Sequence, residues 1–298
     1  NLTGNTFTGN MASTAAPDFF KEGTLIVSSL ADSGASTLRD LVGYANTNAD
    51  ANAIIFQQDL SGQTITLTSG QLTLSNTVTI DGSTLPGGIH INGNATTRIF
   101  EVLSGSIVAL DSLTLTNGRA ISGDGGGILN AGNLTVNRCT LVGNKADRYG
   151  GGIENNNIQS LVINQSTLTA NQCSGSGGAA LDISYGPVLL QHCTVVGNVA
   201  TTSSGAGGIA NYSSGVTINN SIVAGNSSAG PAVNFAGNSI TFTGVNLTNG
   251  TPLLAPLGNY GGPTPTMPPL PGSPAIDAAT NGTSFTTDQR GQPRIVGT

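Results

Sequence analysis

The chain has 298 residues, a formal net charge of −6 and only 8% charged residues, about a third of the usual share, so its solubility rests on uncharged polar groups. Nine Lys plus Arg with no basic cluster give no electrostatic footing for nucleic acid or an anionic membrane, and no run of about eighteen apolar residues is present to span a bilayer. The 43 Gly and 13 Pro interrupt helices throughout, while 37% hydrophobic residues suffice for a sizeable core, which leaves a large β-rich chain.

The N-terminal stretch, residues 1–23, is read as an extension. Its segment NTFTGN from Asn5 resembles CTLVGN from Cys139, the ending of a repeat described below. Two readings are open: the end of a preceding coil of a longer chain, or, the sharper expectation, a coil-like strand that pairs with the exposed edge of a neighbouring copy through Leu2, Phe7 and Asn10, a mode of strand addition. A head-to-tail contact of that kind does not close, and it generates a filament.

Residues 24–52 read as an N-terminal cap. Thr37 and Asp40 form a capping pair, and Leu38, Leu41, Val42 and Ala45 recur at helical spacing. A short amphipathic helix here serves as a lid on the core of a repetitive domain.

Residues 53–250 are repetitive. Asn117, Asn144, Asn171 and Asn198 follow at intervals of 27, and Asn226 comes after 28. Counting back from each Asn gives two apolar columns: Ile107, Leu134, Leu161, Val188 and Val216, then Ala109, Val136, Ile163, Leu190 and Ile218. A column of small residues, Ser112, Cys139, Ser166, Cys193 and Ser221, marks a corner. After a Gly-rich stretch comes a second polar column, Asn130, Asn155, Asp182 and Asn211. A unit of about 27 residues with two or three short strands and no helix is one coil of a parallel β-helix, and coils stack about 4.8 Å apart so that equivalent positions form ladders. The fold expectation is therefore an all-β, single-domain right-handed parallel β-helix, in which both polar columns are architectural.

The three cysteines are Cys139, Cys173 and Cys193. Cys139 and Cys193 share a column but lie two coils apart, beyond the about 7 Å Cα limit for a disulfide, so all three are expected as free, buried thiols. Residues 251–298 are Pro-rich and cannot continue a ladder. They are expected to wrap the far end or to rise along the side, pinned by Arg290 paired with Asp277 or Asp288.

Catalysis on such a scaffold would need two or three carboxylates in one groove. The candidates are Asp124, Asp147 and Glu154, with Asp182 close by. Glu154 is placed in the column of Leu129 and Leu181, and Asp182 in the adjacent Asn column, so the two are not expected to converge, and Asp147 is expected to pair with Arg148. His90 and His192 have no companion ligands at matching spacing, and no metal or cofactor motif occurs.

Several segments together carry a resemblance: LADSGASTLRDLVGYANTNADANAIIF, GQTITLTSGQLTLSNTVTIDGSTLPGG, SLTLTNG, and GGPTPTMPPLPGSPAIDAA with TDQRGQPR. They are similar to secreted bacterial right-handed parallel β-helix proteins with a C-terminal choice-of-anchor Q module, over roughly residues 24 to 296. The resemblance implies export and surface attachment. It departs from the pattern in lacking the acidic Asp-Ile-Gly-Ala ending and in carrying the N-terminal extension. The functional expectation is an extracellular or cell-surface structural protein, the subunit of a head-to-tail filament whose partner is another copy of itself. The alternatives are a monomeric adhesin binding cell-surface glycans and, third, a polysaccharide lyase or hydrolase.

Overall fold

The computed structural model describes residues 20–21, 24–48, 52–229, 233–279 and 285–294. Within them the chain winds as a right-handed parallel β-solenoid of about eight turns with one short helix. The turns contribute strands to a long first sheet, a second sheet and a third sheet, four of them add a strand to a short side sheet, and coil-to-coil pairing is parallel throughout.

Apolar side chains repeat in register along the interior. In the first sheet Ile54, Ile80, Leu110, Val136, Ile163, Leu190 and Ile218 follow one another coil by coil. The second sheet adds Ile65, Ile91, Leu115, Leu141, Leu168, Val195 and Val223. All are buried in one continuous cluster. Burial of each such side chain contributes about 1.5–3 kcal/mol, which is how a core without Trp and with few aromatics holds the coils together.

The register corrects two expectations in the first complete repeat. Leu134 pairs with Val108 and Val136 with Leu110, so the inward residues are Val108 and Leu110, whereas Ile107 is 56% exposed. This coil is 26 residues from the next, and a count anchored on Asn117 shifts every position by one, which in a strand reverses the face. Asn117 itself is exposed, with φ +53, one position ahead of the ladder; Gly118 stands beside Asn144. Likewise Ser112, with φ +56, shares the left-handed corner with Arg138, Gln165, His192 and Asn220, so the small column begins at Cys139.

The remaining Asn residues form a continuous buried ladder. The side-chain oxygen of Asn171 accepts from both the backbone N–H and the amide of Asn144, at 3.1 and 3.0 Å. Asn198 serves Asn171 in the same way, and Asn226 serves Asn198. Asn234 closes the series under Asn226 and donates to the Thr248 carbonyl. Each of Asn144, Asn171, Asn198 and Asn226 also donates to a neighbouring-coil carbonyl, so every polar atom of this column is engaged. The left-handed residue lies one place earlier, at Gly143, Ala170, Gly197 and Gly225, and not at the Asn. A second ladder of Ser and Cys works alike: Cys139 N–H donates to Ser166 Oγ at 3.1 Å and Cys193 N–H to Ser221 Oγ at 3.0 Å. All three cysteines are free and buried, and burial pushes the thiols of Cys139 and Cys193 up to about 12.

The N-terminal end is closed by the helix Leu38–Thr47, whose Thr37 side chain accepts from Asp40 N–H and whose Leu38, Leu41, Val42 and Ala45 join the core. Asp32 locks this lid to the coils. Its carboxylate accepts from the N–H groups of Thr68 and Ser69 at 2.8 and 2.7 Å and from Arg39. The C-terminal segment rises along the second sheet. Thr264 donates to the Arg138 carbonyl, Thr140 donates to the Pro265 carbonyl, and at Gly88 (φ +71) any side chain would collide with the Pro263 carbonyl.

Two substitutions test the ladder. Asn171→Ala leaves the buried Asn144 N–H without its acceptor, and the urea midpoint should fall by the equivalent of about 3 kcal/mol. Ala170→Gly relieves a left-handed alanine and should raise stability by about 0.5–1 kcal/mol in the same measurement.

Candidate functional site

Parallel pairing in the third sheet sets Ile153–Asn155 against Leu181–Ile183 so that Glu154 and Asp182 are direct partners on consecutive coils. The expected separation of these two acids is thereby corrected. Gly150 N–H donates to the Gly178 carbonyl, so the Gly-rich corner before Asp182 is one residue longer than that before Glu154. Alignment on the first glycine places Asp182 in the wrong column; Asn155 pairs with Ile183, which pairs with Asn211. The Asn155 and Asn130 amides do stack as expected, at 2.7 Å.

Glu154 and Asp182 point away from the core yet are only 2% and 1% exposed. Ser184 Oγ donates to Glu154 Oε1 at 2.9 Å, and Gly178 N–H donates to Asp182 Oδ1 at 2.7 Å. Glu154 Oε2 is buried with no hydrogen-bond partner among the described residues. Burial, reinforced by the Asp182 carboxylate, pushes the Glu154 carboxyl up, and burial also raises that of Asp182, so the two side chains hold one proton between them in the neutral range. In front of Asp182 lies a recess of about 450 Å³ lined by Tyr149, Ser176, Ser184, Tyr185 and Tyr212.

The other acids serve elsewhere. Asp124 is near enough to act on the pair through space, accepts from Tyr149 N–H at 3.2 Å and lies 3.5 Å from Arg148. Asp147 pairs with Arg119, not Arg148, and accepts from Ser122 N–H. Asp124, Asp147 and Glu154 therefore do not form one groove of three carboxylates; the adjacent acids are Glu154 and Asp182. His90 alternates with buried Ile89 and Ile91, as expected, and His192 packs edge-on against Phe285 at 5.5 Å beneath the C-terminal segment.

The tail is pinned differently from expectation. Arg290 does pair with Asp288 at 2.6 Å, but that contact is local, and Asp277 is exposed. Gln289 makes the bridge to the coils: it accepts from Thr167 at 2.8 Å and donates to the Cys139 carbonyl and to the hydroxyls of Thr140 and Thr264.

The C-terminal end of the solenoid is open among the described residues. Phe242 follows Ile218 in the inward column of the first sheet but is 47% exposed, and its ring meets the half-buried Phe235 at 5.6 Å. The whole strand Thr241–Thr243 is exposed. Leu2, Phe7 and Asn10 lie outside the described residues.

No family model matches the chain, and no curated protein matches it in sequence.

Two measurements follow. A carboxyl raised in the folded state keeps a proton that the unfolded chain gives up, so its contribution to stability falls as pH climbs from the ordinary carboxylate range towards its raised value. Glu154→Gln removes that titration, and calorimetry should show a Tm gain of a few degrees at about pH 8 that is smaller at about pH 5. Gln289→Ala should expose the segment after residue 250 to limited proteolysis, with a smaller effect from Arg290→Ala.

Proposed function

We propose that the chain is the subunit of an extracellular structural filament, assembled when the N-terminal segment of one copy continues the solenoid of the next. The carrying observation is the open end, where among the described residues the apolar column finishes on an exposed Phe242. Open strand edges of this sort invite pairing with another chain.

The sequence of the extension fits that edge. Residues 1–10, NLTGNTFTGN, align without a gap to residues 217–226, TINNSIVAGN. Leu2 and Phe7 then correspond to the inward Ile218 and Val223, and Gly4 to the left-handed corner at Asn220. Gly9 and Asn10 correspond to Gly225 and the ladder residue Asn226. A segment with both apolar positions, both corners and the ladder amide carries what two strands of a further coil require. Strand addition would bury Phe242 and satisfy the free edge, and the rotation of one copy onto the next would repeat without closure. Export and attachment at the cell surface belong to the same proposal and rest on the choice-of-anchor Q resemblance.

Negative-stain imaging of the full chain should show filaments, and deletion of residues 1–15 should leave folded monomers. Phe242→Asp should block assembly while the circular dichroism spectrum is retained. A peptide of residues 1–15 should bind the deletion variant one to one. A full-length protein that stays monomeric, or a deletion variant that polymerises as well as the parent, would overturn the proposal.

A further inference from the structure

Polymerisation through the two ends makes no use of the buried acids on the third sheet. The outward column there runs Leu129, Glu154, Asp182 and Ala210 on consecutive coils, so two acids stand one strand spacing apart where their neighbours are apolar. Adjacent carboxyls at that separation cannot both ionise without a counter-charge. The arginines nearby are committed elsewhere: Arg98 donates to the Asp124 and Gly125 carbonyls and to Gln71, and Arg148 lies beside Asp124 with its guanidinium 5.4 Å from the centre of the Tyr149 ring. Among the described residues Glu154 Oε2 is left without a partner, and the approach to Asp182 is the tyrosine-lined recess.

We propose that this recess binds a primary ammonium group, which passes between Tyr149, Tyr185 and Tyr212 to reach Asp182. Each component of the site suits an organic cation. Tyrosine rings attract ammonium groups through their π faces, and a buried carboxylate supplies the opposite charge in a place where water screens it little. The hydroxyls of Ser176 and Ser184 line the same recess and can accept further ammonium hydrogens. A divalent metal fits less well, since it needs an oxygen cage, and among the described residues no three His, Cys, Asp or Glu side chains group to hold one. A neutral ligand would leave the charge of the pair unanswered.

The charge balance is explicit. The empty site holds one proton on two carboxyls; in the occupied site the ammonium lies against Asp182 with both acids ionised, and the displaced proton passes to solvent. Binding is therefore tighter at higher pH. The charged or titratable groups around the pair are Asp124, Arg148, Tyr149, Cys173, Tyr185 and Tyr212; Asp124 and Arg148 offset one another, so the charge that meets the cation is that of the pair itself.

Titration calorimetry on the full chain tests the proposal with two amines, glucosamine and Nα-acetyl-lysine amide, and their neutral twins, N-acetylglucosamine and N-acetyl-norleucine amide. One or both amines should bind at least about tenfold more tightly than the matching twin, and which of the two binds identifies a saccharide or a peptide as the source. Up to one proton should be released per site, read from buffers of different ionisation heat, and affinity should fall between about pH 8 and about pH 5. Tyr185→Ala, on the exposed rim, should weaken binding about two- to fivefold with an unchanged melting curve. Asp182→Asn should abolish it. Equal binding of amine and twin, response to calcium chloride alone, or no binding of either amine would overturn the proposal.

Discussion

Parallel coils stacked in register impose one constraint on everything else: each side chain has its own equivalents as neighbours above and below, about 4.8 Å away. A charge placed in such a column meets the same charge again, whereas an amide meets a donor and an acceptor. The Asn144, Asn171, Asn198 and Asn226 column uses this directly, because the side-chain oxygens of Asn171, Asn198 and Asn226 each take two hydrogen bonds from the coil before. The Ser and Cys column does the same with single hydroxyls and thiols. A composition with 8% charged residues is thus what the stacking selects.

The same repetition leaves two ends and one flank to be dealt with, and the chain treats each differently. The first end is covered by an amphipathic helix, held by Asp32 through backbone N–H groups that lie 36 and 37 residues further along. The flank is covered by the Pro-rich segment, which cannot add a strand but can lie across several coils and donate to or accept from their corner groups. The second end, among the described residues, keeps its edge and its last apolar residue open. Among the described residues two of three vulnerable surfaces are thus covered, and the third is the one on which the proposed assembly would act.

Periodicity made the solenoid, the helical lid with its Thr37 cap, the free cysteines and the Asn ladder legible in the sequence. Register was harder, because coil length is not constant: 26 between Leu110 and Val136, 27 between Val136 and Ile163, and 28 between Glu154 and Asp182. Alternation turns a one-residue error into an exchange of faces, which is why Ile107 and Ala109 read as inward and why Glu154 and Asp182 read as separated. Asp32 and Gln289 carried no signal at all. Each acts on backbone groups far along the chain, and neither sits in a repeating pattern.

Against the stacking constraint, Glu154 and Asp182 are the buried exception that needs a cause; Asp81 with Asp111 and Arg119 with Lys145 also stack like charges, but none of those four is buried. Acids elsewhere in the coils answer to a cation or to solvent: Asp111 to Arg138 at 2.7 Å, Asp147 to Arg119, Asp124 to Arg148. Glu154 and Asp182 answer to each other, in a position where Leu129 on one side and Ala210 on the other show that an apolar residue fits. Replacing a buried ionic pair by apolar residues is commonly neutral or stabilising, so stability alone gives no reason to keep two acids here. A fold that elsewhere stacks like charges only where they are not buried, yet places two adjacent buried acids behind a tyrosine-lined opening, concentrates there a chemistry found nowhere else among its described ladders.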